Sequence, residues 1–283
     1  MIAYTNLGNG GQLGNQLFQY ATLMSVALKN NYEWGIPFEN ENGRYSHMDL
    51  HTGQNIHNSM DLLKAFTLSC KNVTDKTVFT NKFNEKEGWV FDHEIYSIPD
   101  WTDIEGYFQS ELYFKNNFWF DGMDEVRKEF AFKEEILNKC KERHTQWRDD
   151  RELVAIHVRR GDTLGHPLIL AISGMEYYQK ALENFTDKDY KFVVFSDDLT
   201  WCKNAFGDTT NDLIYSEYDD IKIPHIYDLC KMSLCDHFII APSSYSWWGA
   251  WLSTNKNKKV VRPLQPFPPK QTHDYYPNEW ISC

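Results

Sequence analysis

Leu153-Val154-Ala155-Ile156-His157-Val158-Arg159-Arg160-Gly161-Asp162 runs from an apolar stretch directly into two arginines and a glycine. A short apolar run that stops at a polar, glycine-bearing turn reads as a buried strand, here over 153–157. The pattern then repeats downstream. Strands over 191–195, 212–215, 237–240 and 259–262 alternate with helices over 174–184, 198–205, 224–234 and 246–253. Alternation at this spacing predicts an α/β fold with a parallel sheet and helices on both faces.

Upstream the pattern is weaker. A short strand over 2–4 leads into the loop Gly8-Asn9-Gly10-Gly11-Gln12-Leu13-Gly14, after which Asn15 opens an apolar helix over 16–28. Residues 30–100 are polar, rich in Asn and His, and show no clear period. A strand over 103–107 precedes Phe108-Gln109-Ser110-Glu111 at a helix start, and residues 123–147 are charged with a helical period. A domain boundary near Trp147-Arg148-Asp149-Asp150 divides the 283 residues into 1–150 and 151–283, a reasonable size for two domains. The Pro-rich stretch 263–269 reads as an extended terminal segment.

Hydrophobic residues make up 42% and charged residues 24%, an ordinary globular mix that excludes disordered and collagen-like classes. Lys and Arg total 29 against 40 Asp and Glu, a net charge of −11. Such a chain has no general attraction for nucleic acid or anionic lipid, so an anionic ligand needs a local basic site. No apolar run approaches the ~18 residues of a membrane span. Met1-Ile2-Ala3-Tyr4-Thr5 has neither the basic nor the apolar region of a signal peptide. The expected location is cytoplasmic, compatible with peripheral association with a membrane. The six cysteines form no Cys-x-x-Cys pair and read as reduced thiols.

The polar clusters fall at the ends of the second-half strands. They are Arg159-Arg160-Gly161-Asp162, Ser196-Asp197-Asp198 and Ser243-Ser244-Tyr245-Ser246. In a parallel sheet the strand C-termini share one edge, where open α/β sheets bind ligands. Taken singly, Asp198 and Ser246 are helix N-caps; their recurrence on one edge points to a ligand. Two adjacent arginines in an acidic chain suit a diphosphate, with Asp162 orienting one of them. Serine hydroxyls and free N–H groups at a helix start form an anion site. Trp247, Trp248 and Trp251 read mainly as core, with a sugar-stacking role for Trp247 or Trp248 the weaker reading. Asp187-Lys188-Asp189 matches a metal–nucleotide signature but precedes a strand, where a turn belongs, and no His pair has zinc spacing, so no metal site is expected.

Leu13-Gly14-Asn15-Gln16-Leu17-Phe18-Gln19-Tyr20-Ala21 and Gly106-Tyr107-Phe108-Gln109-Ser110-Glu111 resemble glycosyltransferase family 11, the α-1,2-fucosyltransferases. So do His157 to Asp162, Phe195-Ser196-Asp197-Asp198 with Trp201-Cys202, and Ser243 to Leu252, in the family's order. Pro242 departs from it, where the family usually has Asn. The resemblance implies a GT-B fold, two Rossmann-like domains facing across a cleft. It implies an inverting galactoside 2-α-L-fucosyltransferase, with GDP-fucose as donor, a galactose-containing glycan as acceptor and no required cofactor or metal. By motif position Arg160 would hold the β-phosphate with Arg159 beside it. His157 and Asp197 or Asp198 would lie near guanine and ribose. Ser243, Ser244, Tyr245 and Ser246 would line the diphosphate, and Gly14 and Asn15 would close over the donor. Asp162, His157 and Glu105 are candidate general bases. The alternatives are a relative moving another sugar from a GDP donor, or a non-catalytic carbohydrate-binding protein.

Overall fold

The computed structural model describes the chain except residues 10, 39–45, 49–54, 58–59, 75, 116–120, 166, 208–212, 218–221 and 267–271. The second half carries a six-stranded, all-parallel sheet. Its spatial order is Leu213–Tyr215, Tyr190–Ser196, Glu152–Val158, His237–Ile239, Val260–Arg262, Ile281–Ser282. In chain order this is 3-2-1-4-5-6, the doubly wound arrangement of dinucleotide-binding sheets. The order reverses between Glu152–Val158 and His237–Ile239, which pair with Ala155 opposite Phe238. A crevice opens beyond the strand C-termini at such a switch point. The two long central strands are buried almost end to end, which is why they read as continuous apolar runs.

The first half holds a second parallel sheet, of five strands. Its order is Lys71–Asn72, Trp34–Ile36, Ile2–Ala3, Thr102–Glu105, Asn81–Asn84. Here the order reverses between Ile2–Ala3 and Thr102–Glu105. Strands of two to four residues are too short to show a period, which explains the unreadable stretch 30–100. Ser46–Met48 and Asn55–His57 form a separate pair.

The helix expected over 16–28 runs from Leu13 to Asn30, so Gly14 and Asn15 lie in its first turn, not in the loop before it. Gln12, in extended conformation, accepts the amides of Asn15 and Gln16 at 2.9 and 3.1 Å and starts the helix early. The helix is buried on all sides, including Gln16, Gln19, Thr22 and Ser25. The single helix expected over 123–147 is two, Met123–Glu129 and Glu134–Trp147. Packing divides the chain differently from 1–150 and 151–283. One unit comprises Met1–His47, Asn55–Lys133 and Gln271–Pro277; the other is built mainly of Glu134–Lys270 and Asn278–Cys283. Helix Glu134–Trp147 belongs to the second unit because His144 and Cys140 dock on Pro224–Ser233. Tyr275 belongs to the first because it packs on Phe18. Trp247 and Trp248 are fully buried, which removes the sugar-stacking role. No described helix is long and apolar enough to cross a membrane.

The buried His144 gives a stability test. Its Nε2–H donates to the Lys231 carbonyl at 2.7 Å, and burial pushes its pKa down to about 4. The unfolded chain then takes up this proton first, so the contribution is intact above pH 6.5 and is lost as pH falls toward 4. Relative to His144→Gln, the parent protein should lose about 2 kcal/mol between pH 6.5 and 5. Urea unfolding at the two pH values measures it; an equal change in both proteins would contradict it.

Candidate functional site

Glu152–Val158 and Tyr190–Ser196 lie side by side, with Val158 opposite Ser196. Their continuations therefore leave the sheet together, and two ion pairs join them. Arg159 Nη1 donates to Asp197 Oδ2, and the Arg160 amide donates to Asp197 Oδ1 at 2.9 Å. Arg160 Nε donates to Asp198 Oδ2 at 3.1 Å, and its guanidinium carbon stands 4.1 Å from the Trp201 ring centre. Asp198 also accepts the Trp201 amide at 2.9 Å, capping helix Leu199–Phe206. The expected cap and the brace on Arg160 thus meet in one carboxylate. A Cβ on Gly161 would come within 2.7 Å of Asp197 Oδ2, so a larger residue there would push that carboxylate from its place against Arg159. The arginine side chains are 22% and 20% exposed, sheltered enough for the pairs to outweigh ordinary surface pairs. Fixed in this way, they have lost their rotamer freedom before a ligand arrives.

His157 lies at the base of this edge, 5% exposed, its ring 5.4 Å from that of Tyr245. Burial pushes its pKa down to about 3, so the imidazole is neutral at physiological pH and a poor proton acceptor. Its Nδ1 is buried with no hydrogen-bond partner among the described residues, an unmet polar group of the kind a ligand satisfies. Across the switch point, Ser243 caps helix Ser244–Leu252, its Oγ accepting the Tyr245 amide at 3.3 Å. Ser243, Ser244 and Tyr245 are partly exposed at that helix start. Ser246 is fully buried and donates back to the Ala241 carbonyl at 3.3 Å, so its hydroxyl serves the turn and not the crevice.

Asp162 opens the short 3₁₀ helix Asp162–Gly165. Asp197 and Asp198, expected near guanine and ribose, brace the two arginines; the side chain of Asp162 lies outside the described residues. Gly14 and Asn15 sit in the first unit. Gly11 has φ +122°, and a Cβ there would overlap the Asn15 side chain. Asn15 Oδ1 accepts Gln109 Nε2 at 2.7 Å, and Gln109 in turn accepts Trp89 Nε1, so the two motifs of this unit share one network. Glu105 is ion-paired with Lys82 at 2.6 Å. Glu85 escaped the sequence reading because a lone Glu after a polar strand carries no pattern. Burial pushes its pKa up to about 7.

Among the described residues no cluster of three His, Cys, Asp or Glu side chains is placed to hold a metal. Asp187 pairs with Lys259 at 2.8 Å and Asp189 with Arg151 at 3.7 Å, which makes Asp-x-Asp a surface turn. Fixed guanidiniums, a helix start and a neutral histidine together suit a diphosphate whose charge grows as a bond to it breaks. Because Asp197 accepts the Arg160 amide, Asp197→Ala should speed hydrogen exchange at the 158–163 peptide about tenfold or more. Mass-spectrometric exchange reads it, and unchanged protection would contradict the clamp.

An O-antigen biosynthesis glycosyltransferase, WbnK, of Escherichia coli is 33% identical over 54% of this chain, which spans 53% of that protein. An alpha-1,2-colitosyltransferase of Escherichia coli is 27% identical over 96% of both chains. A galactoside 2-alpha-L-fucosyltransferase, SEC1, of Bos taurus is 22% identical over 86% of this chain and 62% of its own. The crystal structure of NodZ alpha-1,6-fucosyltransferase soaked with GDP-fucose superposes with a TM-score of 0.52 at 12% identity, covering 89% of this chain and 91% of that one. That likeness places the α/β architecture with its two parallel sheets among GT-B folds. The family model for glycosyl transferase family 11 matches residues 4–283, and the chain belongs to that family.

Proposed function

We propose that the protein is an inverting transferase that moves L-fucose from GDP-fucose to the 2-hydroxyl of a galactose residue in a glycan. The observation that carries this is the pair of carboxylate-fixed arginines at the switch point of a 3-2-1-4-5-6 sheet, beside the Ser243-capped helix start. In the reaction the bond from fucosyl C1 to the β-phosphate oxygen breaks, and its electron pair stays on the phosphate. The acceptor oxygen bonds to C1 from the opposite face and loses its proton. In this reading Arg160, its Nε held by Asp198, offers its terminal amino groups to the leaving group. Fixed positive charge there stabilises the transition state more than the ground state, and the fucosyl carbon becomes oxocarbenium-like. Incubation with GDP-fucose and a panel of β-galactosides, followed by linkage analysis, tests the reading. An α-1,2-fucosylated product supports it; GDP-fucose left intact across the panel contradicts it.

A second reading is favoured by the 27% identity to a colitosyltransferase across nearly the whole chain: the same site with a different GDP-sugar. Competition between GDP-fucose and GDP-colitose separates the two.

Arg160→Ala should cost about 3 kcal/mol of transition-state stabilisation, roughly 100-fold in kcat, in a folded protein. Arg160→Lys should restore only part, because lysine lacks the planar fork. Near-parental kcat in Arg160→Ala would contradict the assignment. The arginine pair also supplies the charge that a divalent ion supplies elsewhere, so GDP release should survive EDTA. Activity abolished by chelation and restored by Mn²⁺ or Mg²⁺ would refute this.

A further inference from the structure

The segment after strand Thr102–Glu105 is bent in a way its own sequence disfavours. Gly106 has φ +158°, and Phe108, a bulky residue, has φ +51°. Left-handed backbone at such a residue persists only where its surroundings impose it, and it clusters at functional sites. The surroundings here are specific. The Tyr4 hydroxyl donates to the Gly106 carbonyl at 2.6 Å and accepts the Gly106 amide at 3.1 Å. Gln19 Nε2 donates to the same carbonyl at 3.0 Å. Glu85 Oε2 accepts the Tyr107 amide at 2.7 Å, and both Glu85 oxygens accept the Phe108 amide, at 3.0 and 3.1 Å. A Cβ on Gly106 would stand 2.4 Å from Glu85 Cβ, so glycine is what lets the carboxylate reach the turn. The Phe108 ring is fully buried, edge-on to Tyr4 and Tyr113.

The outcome of this clamping is Tyr107. Tyr107 is 44% exposed, an aromatic residue left partly open to solvent while its own backbone amide is held by Glu85. It stands at the C-terminal end of its strand, beside the switch point of the first sheet. In open parallel sheets ligands bind beyond the strand C-termini at the switch point, and this buried carboxylate fixes an exposed aromatic there.

We propose that Tyr107 is the platform on which a pyranose of the acceptor glycan stacks, and that Glu85 is the residue that positions it. The inference rests on the reading of this protein as a fucosyltransferase and adds the acceptor contact. A phenol ring offers its face to the apolar C–H face of galactose and its hydroxyl to a neighbouring sugar hydroxyl. Glu85 does not touch the sugar. Both its oxygens face the loop, with Asp92 and the Tyr113 hydroxyl as the titratable groups nearest to it.

Steady-state kinetics with a β-galactoside acceptor, together with calorimetric GDP titration, tests the proposal. Tyr107→Ala should raise acceptor KM about tenfold while the Kd for GDP stays within about twofold. Tyr107→Phe should keep most of the acceptor affinity, since the ring face remains. Glu85→Gln should raise acceptor KM with little change in kcat, and restoring the ring's position through Glu85→Asp should be incomplete because the shorter acid reaches one amide. An acceptor KM for Tyr107→Ala equal to the parent's would overturn the proposal, whether or not the Glu85 variants fold. A parent protein that binds GDP but turns over no GDP-fucose would instead overturn the underlying reading.

Discussion

Two carboxylates, Asp197 and Asp198, hold two arginines, Arg159 and Arg160, across adjacent strand ends. Much of the second unit's local architecture is what these pairs require. The register that sets Val158 opposite Ser196 brings the loops level. Gly161 leaves room for Asp197, and Asp198 fixes the start of helix Leu199–Phe206, which carries Trp201 beneath Arg160. In a chain of net charge −11, loose arginines would collapse on whatever acid lay nearest. Here Asp197 and Asp198 hold the two cations in place.

The first unit solves a different problem with similar means. Its two recurrent motifs, around Gly14-Asn15 and Gly106 to Glu111, meet through Asn15 and Gln109 and through Gln19 and Gly106. The polar atoms of the turn are satisfied by side chains because the strands feeding it are too short to do so. Glu85 is the sharpest instance: burial raises its pKa, and two amides compensate only in part.

The sequence reading located the strands of the second sheet to within a residue or two, since burial on both faces leaves an uninterrupted apolar run. It also placed two strands of the first sheet, at 2–4 and 103–107, but not Trp34–Ile36, Lys71–Asn72 or Asn81–Asn84, nor the sixth strand of the second sheet, Ile281–Ser282, two residues long. The arginine pair was legible as a local anomaly of charge. Its partners were not, because Asp197 lies 38 residues from Arg159 and only the strand register joins them. Ser246 shows the complementary limit: a serine in a serine-rich turn looks like a ligand, while helix geometry turns its hydroxyl inward. Family resemblance supplied the donor and reaction class, which neither periodicity nor charge contains.

The central claim is that the clamped arginine edge of the second sheet holds the nucleotide diphosphate. Hydrogen exchange read peptide by peptide, with and without saturating GDP, tests it most directly, since a ligand slows exchange where it binds. The account requires protection at residues 157–163, 195–200 and 241–248, with a smaller effect at residues 8–16. Protection concentrated in residues 1–120, with the Arg159-Arg160 peptide unchanged, would contradict it.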